Sequence, residues 1–137
     1  MGFLRTNGSF TVIVVGLFFI TFSCAAFAND LESRVKARWL AMSQHDFSTA
    51  HEFKTPAYRA VFTKNLYVHS FSKDILWNLT KIEGIKYDST ANLATVDVVV
   101  ETARNSVGLA AKPDVVSIQV KEKWLHIDNQ WWHSSNE

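Results

Sequence analysis

The chain has 137 residues, 14 basic and 13 acidic, and only Arg5 of these charges precedes Asn29, so the part from Asn29 onward is neutral. Such a balance leaves no electrostatic footprint for nucleic acid or for an anionic lipid surface. Cys24 is the only cysteine, which excludes a disulfide, a thiol nucleophile and a thiolate metal site from the part that follows it.

Arg5, an apolar run over residues 10–22, and Ser23-Cys24-Ala25-Ala26-Phe27-Ala28 have the layout of an export signal, with Ala26 and Ala28 as an Ala-x-Ala site and Asn29 as the mature start. Two other fates compete with cleavage. Residues 10–28 carry no charge, and at about 1.5 Å per residue their helix nearly covers a bilayer core of roughly 30 Å, as an uncleaved anchor would. Lipidation of Cys24 is disfavoured by Thr21, which stands where a lipoprotein signal wants Leu or a similar residue. In every case the expected location is the periplasm or the periplasmic face of the inner membrane. Any membrane contact runs through residues 10–28 alone. About a hundred residues remain downstream, enough for one core and too few for two domains.

Leu31, Val35, Trp39 and Met42 recur at helical spacing behind Asn29 and Asp30 as capping candidates, which predicts an amphipathic helix over residues 31–44. After a break at His45-Asp46-Phe47, Ser48 is the expected cap of a short helix through Phe53. Thr55-Pro56 pairs an N-cap with proline at the first helical position, and Thr63 caps a further helix towards Phe71. From Ile75 the period becomes two. Ile82 and Ile85 are three apart with Glu83-Gly84 between them, a phase slip that predicts a β-bulge. Asn78-Leu79-Thr80 fits a glycosylation sequon, which carries no meaning behind a bacterial export signal. Ala94, Val96, Val98 and Val100 alternate with polar residues in a half-buried strand. Residues 104–113 read as a loop and 114–127 as a long strand. Asp128-Asn129 is acceptable chemistry for a two-residue hairpin turn into a strand around Trp131. Helices followed by an antiparallel meander indicate one α+β domain.

The run from Asp46-Phe47 to Thr55-Pro56-Ala57-Tyr58-Arg59, the Ala94-Thr95-Val96 strand, and Glu122-x-Trp124 followed by Gln130-Trp131-Trp132 resemble the nuclear transport factor 2-like superfamily, which includes ketosteroid isomerases and polyketide cyclases. The resemblance spans residues 31–133 and is to small exported bacterial members. It implies N-terminal helices packed in the concave face of a strongly bent antiparallel sheet, a cone whose mouth holds a ligand. An N-terminal apolar helix precedes this domain. The isomerase members carry an acidic base and a Tyr plus protonated Asp pair in the cone. Neither that set nor the cyclase residues match here residue by residue, so no catalytic residue is assigned.

Alternation along the long strand places Val116, Ile118, Val120, Glu122, Trp124 and His126 on one face. Glu122 among apolar neighbours needs a partner, and Arg59 is the expected one, because its planar fork can hold both carboxylate oxygens. The pair reads first as a salt bridge fixing helix to sheet, and second as a ligand anchor or proton acceptor whose pKa the arginine would lower. Trp39, Tyr58, Phe62, Tyr67, Trp77 and Trp124 are the aromatics expected to fill or line the cone, with Arg59 and Glu122 completing a candidate ligand site. Phe47 belongs with them as core. His126 and His133 fall diagonally on one face, and His45, Asp46 and His51 gather near the helix break. None of these has metal-ligand spacing, so neither metal nor cofactor is expected. On the opposite sheet face Leu125, Ile127 and Trp132 form a candidate contact surface for a homodimer or a membrane-complex partner.

These features point to an exported, non-catalytic ligand-binding or accessory domain of the bacterial cell envelope that takes a small apolar ligand. A membrane-anchored accessory subunit, and an isomerase or cyclase-like enzyme with Glu122 as base, are the competing readings.

Overall fold

The computed structural model describes residues 24–104 and 112–136. The export or anchor signal lies largely outside them, and among the described residues no helix is long and apolar enough to cross a membrane. The first helix, α1 (Cys24–Ser43), begins earlier than its apolar spacing predicts. Asn29 and Asp30 lie inside it instead of capping it. The physical reason is the run of alanines before Asn29, since alanine is the best helix former. Leu31, Val35, Trp39 and Met42 are buried as expected. A left-handed residue, His45 (φ 56°), ends the helix. The amide of His45 donates to Met42 O at 3.1 Å and that of Asp46 to Ala41 O at 2.9 Å, the paired bonds of a Schellman motif.

Asp46, not Ser48, caps α2 (Phe47–Glu52) by accepting from the Thr49 amide at 3.0 Å. The earlier start turns Phe47 into the core, where it is 1 % exposed. Thr55 caps α3 (Pro56–Val61) and Thr63 caps α4 (Lys64–His69), both as the sequence predicts.

Four antiparallel strands follow in the order β1 (Ile75–Asp88), β2 (Leu93–Arg104), β3 (Val115–Ile127) and β4 (Gln130–Asn136). Arg104, expected in a loop, still pairs with Ile75 at the end of β2. Residues 105–111 of that expected loop lie outside the described residues. Two bulges bend β1. The pairing skips Glu83, as predicted, and it also skips Thr80, whose hydroxyl donates to Val99 O at 3.0 Å. Each bulge answers one step of three in the apolar spacing, from Leu79 to Ile82 and from Ile82 to Ile85, so all three side chains stay on one face. A Cβ at Gly84 would meet nothing within 4 Å. The slip in spacing, not the glycine, therefore makes the bulge.

Ala94, Val96, Val98 and Val100 of β2 are all fully buried. They form the floor on which α1 lies. At the hairpin, Asp128 (φ 49°) and Asn129 (φ 66°) are both left-handed, as a type I′ turn requires. The resulting register pairs Trp124 with His133 and His126 with Trp131, which turns Glu122 and Trp124 inward. Of the expected inward set, Val116 is the exception. It is 55 % exposed, because it lies at the outer end of β3, beyond the reach of the helices. The outer edge of β4 is closed by the segment between α2 and α3. Lys54 bridges His133 in parallel, and the His133 amide donates to Phe53 O at 2.7 Å.

The turn gives a direct check on the register. Asn129→Ala should lower stability by about 1 kcal/mol, because alanine resists the left-handed region that asparagine tolerates, whereas Asn129→Gly should keep it or raise it. Urea unfolding of the two variants measures this.

Candidate functional site

Leu31, Val35, Arg38 and Met42 follow one another at steps of four, three and four, so the guanidinium of Arg38 falls within the buried stripe of α1. It meets the one inward carboxylate of β3. Arg38 Nη1 donates to Glu122 Oε1 at 2.6 Å, and Trp124 Nε1 donates to Glu122 Oε2 at 3.0 Å. His133 Nε2 lies 3.8 Å from Oε1. Glu122 is 0 % exposed and Arg38 3 %. The partner of Glu122 is thus Arg38, which corrects the expectation of Arg59. A helix crossing the concave face centrally can reach the middle of β3, whereas α3 sits at the sheet edge.

Burial pushes the Glu122 carboxyl above the ordinary carboxylate range, and the pulls of Arg38, Trp124, Trp39 and Lys54 do not cancel that rise. The expected lowering by an arginine is therefore outweighed by desolvation. Both carboxylate oxygens are occupied.

Beside this pair lies a cavity of about 480 Å³ between the helices and the sheet. Trp39, Tyr58, Phe62, Tyr67 and Trp77 line it, which brings together five of the eight expected ligand-site residues. Trp39 and Trp77 meet at 6.3 Å between ring centroids, and Tyr58 and Tyr67 pack edge to face at the same separation. Arg38, Lys54 and His133 add polar groups that were not among the expected residues. Arg38 had a signal, since it interrupts the apolar stripe at a helical step. Lys54 had none, because its burial comes from the bridge to β4.

Lys54 is 8 % exposed. Its ammonium donates to Ser134 O at 3.2 Å and lies 4.7 Å over the Tyr58 ring. Burial, then Arg38, lowers its pKa to about 8, with Glu122 opposing. Burial also raises the pKa of Tyr67, although Arg38 pulls the other way. The Tyr67 hydroxyl is buried without a hydrogen bond of good geometry, and so is Trp77 Nε1.

The remaining expected residues lie elsewhere. Trp124 is fully buried beneath Glu122 and packs edge-on against His133 at 5.4 Å. Arg59 stacks on Trp132 at 4.9 Å, with Arg34 on the same ring at 5.2 Å. Leu125 pairs with Trp132, whose indole donates to Ile127 O at 3.3 Å; all three are half-buried, and two cations sheathe the indole. His45 and His51 hold backbone carbonyls, those of Ile75 and Phe62, each at 2.8 Å. Neither histidine lines the cavity.

No family model and no curated sequence matches the chain. Solved structures do match it. A scytalone dehydratase-like protein from Novosphingobium aromaticivorans superposes with a TM-score of 0.60 at 14 % identity, over 82 % of this chain and 83 % of that one. A dehydratase-like protein of the nuclear transport factor 2-like family from Streptomyces avermitilis gives 0.60 at 13 %, over 83 % and 95 %. The CamKII hub homology domain from Chlamydamonas reinhardtii gives 0.57 at 14 %, over 80 % and 95 %. The chain has the nuclear transport factor 2-like fold, as the sequence resemblance implies.

Two outcomes follow from the buried charges. Arg38→Met and Glu122→Gln should each cost about 3–5 kcal/mol, because each strands a buried partner, while the double variant recovers most of the loss. A double-mutant cycle by urea unfolding reads this. Lys54 titrates near 10.5 when unfolded and near 8 when folded, so between these values the unfolded chain binds more protons and stability rises with pH. Lys54→Met should be the more stable protein at about pH 7, and its lead should shrink by about pH 9.5. Paired unfolding curves at the two pH values measure the slope.

Proposed function

We propose that the chain is an exported, non-catalytic ligand-binding or accessory domain of the bacterial cell envelope, with a small, largely apolar molecule as its ligand. The observation that carries this reading is the aromatic cavity beside a carboxylate whose two oxygens are already taken. A cavity of about 480 Å³ falls within the usual size of small-molecule sites. The dehydratase-like and cyclase-like proteins among similar folds support a ligand-binding or enzyme-like domain. An isomerase or cyclase would have to present a base to its ligand. Glu122, the carboxylate expected to serve, is absent from the cavity wall and holds Arg38 and Trp124.

Export rests on the sequence before Asn29. An uncleaved residue 10–28 segment would make the domain an anchored subunit, and the Leu125, Ile127 and Trp132 surface would then meet a partner. A second copy of the chain is the alternative occupant, a reading supported by the hub and association domains among similar folds.

Intact and native mass spectrometry on protein isolated from its own cells tests the proposal. The expected species starts at Asn29 and carries a bound small molecule. Retention of residues 1–28 would replace the free exported domain with the anchored subunit. Turnover of an isomerisation or hydrolysis substrate, abolished by Glu122→Gln, would overturn the non-catalytic reading.

A further inference from the structure

The charges around the cavity do not balance. Among the described residues, two buried cations, Arg38 and Lys54, stand on its wall, and no Asp or Glu does. Glu122 lies behind the wall and is within 2.6 Å of Arg38. That leaves the ammonium of Lys54 with the Ser134 carbonyl and the Tyr58 ring face as its contacts. Neither supplies a full negative charge, and buried charges in folded proteins are ordinarily paired.

The hydrogen-bonding side chains of the wall have the same bias. Trp77 Nε1 is buried with a proton and no acceptor, and an indole can only donate. Tyr67 Oη is buried beside Arg38. A guanidinium has no acceptor, so the Tyr67 proton is directed away from it. The Ser70 hydroxyl donates to Tyr67 O at 2.7 Å, inside its own helix turn. Apart from His133, whose imidazole can accept as well as donate, the interior therefore offers donors and positive charge, set among Trp39, Phe62 and Phe71.

We infer that the cavity selects a monocarboxylate carried on a flat apolar body, with the Lys54 ammonium and the Tyr67 hydroxyl meeting the carboxylate and the aromatic wall meeting the body. This rests on the reading of the cavity as a ligand site and specifies the charge of the ligand. A carboxylate supplies the missing negative charge and accepts several hydrogen bonds at once. An ammonium ligand would bring a third cation into the same space. A neutral ligand would leave Lys54 unpaired. The groups facing Lys54 are Arg38 from α1, Tyr58 from α3, Glu122 from β3 and His133 from β4. Of these Glu122 alone is acidic.

Three probes with one ring system separate the alternatives: 2-naphthoate, its methyl ester and 2-naphthylmethylammonium, titrated into the full chain at neutral pH by equilibrium dialysis. The expected result is naphthoate binding at least about tenfold tighter than the ester, as for a charge-assisted contact, with no binding of the ammonium. Lys54→Met should bring the naphthoate-to-ester ratio towards one. Tyr67→Phe, a smaller change that keeps the ring packing, should lower the same ratio about threefold. Ester or ammonium binding as tightly as naphthoate, or a ratio unmoved by both variants, would overturn the charge preference and leave the ligand site standing. Failure of all three probes to bind would overturn the ligand site and this inference with it.

Discussion

A carboxylate in the middle of an apolar sheet face stays ionised only if a cation reaches it through the same low-dielectric interior. Glu122 is that carboxylate and Arg38 that cation, joined at 2.6 Å, and the remaining architecture is arranged around their meeting. The guanidinium must come from the buried stripe of the central helix, which fixes the rotation of α1 about its axis. Leu31, Val35 and Met42 then face inward with it. The second carboxylate oxygen is held by Trp124 from the same strand, so the orientation of the acid is set from two sides. Such a pair is weak evidence of net stabilisation, since desolvation of both ions offsets much of their attraction. Its clearer effect is on register and orientation, because any slip of β3 by one residue would carry Glu122 to the opposite face.

The cavity follows from the same constraint. The double bulge in β1 interrupts its pairing with β2, and α3, its C-cap and α4 bring Tyr58, Phe62 and Tyr67 to the cavity wall. Closure of the β4 edge by the bridge at Lys54 draws a second cation inside. One acid now faces two bases. Glu122 is consumed by Arg38, and the ammonium of Lys54 is left with weaker company, while burial and then the charge of Arg38 bring its pKa down to about 8. The chemistry of the site is thus dominated by donors, and the acid that seemed the natural catalyst serves as scaffold.

Local signals were legible where a few consecutive residues settle the conformation. Thr55-Pro56 and Thr63 cap their helices as their chemistry dictates. Asp128-Asn129 makes the left-handed turn, and with it come the register of the last hairpin and the inward face of β3. The same logic failed where two adjacent signals competed. Ser48 and Asp46 are both good caps, and the burial of Phe47 chose between them. The spacing of Leu79 and Ile82 held a second bulge signal, but no glycine drew attention to it. Five aromatics of the candidate site were identifiable as inward residues. Arg59, also placed there, sits on Trp132 instead.

The sequence by itself determined the α+β order, the caps of α3 and α4, the turn, one bulge and the presence of an acid among apolar residues, because each of these is decided within one element or between neighbours in the chain. Only the tertiary structure decided that Arg38 partners Glu122, that Lys54 is buried against β4, and that Trp124 supports the acid from behind the cavity. These contacts join residues 84 and 80 positions apart, as in Arg38 to Glu122 and Lys54 to Ser134. Their existence depends on how far each helix reaches across the bent sheet, a distance that periodicity along the chain does not encode.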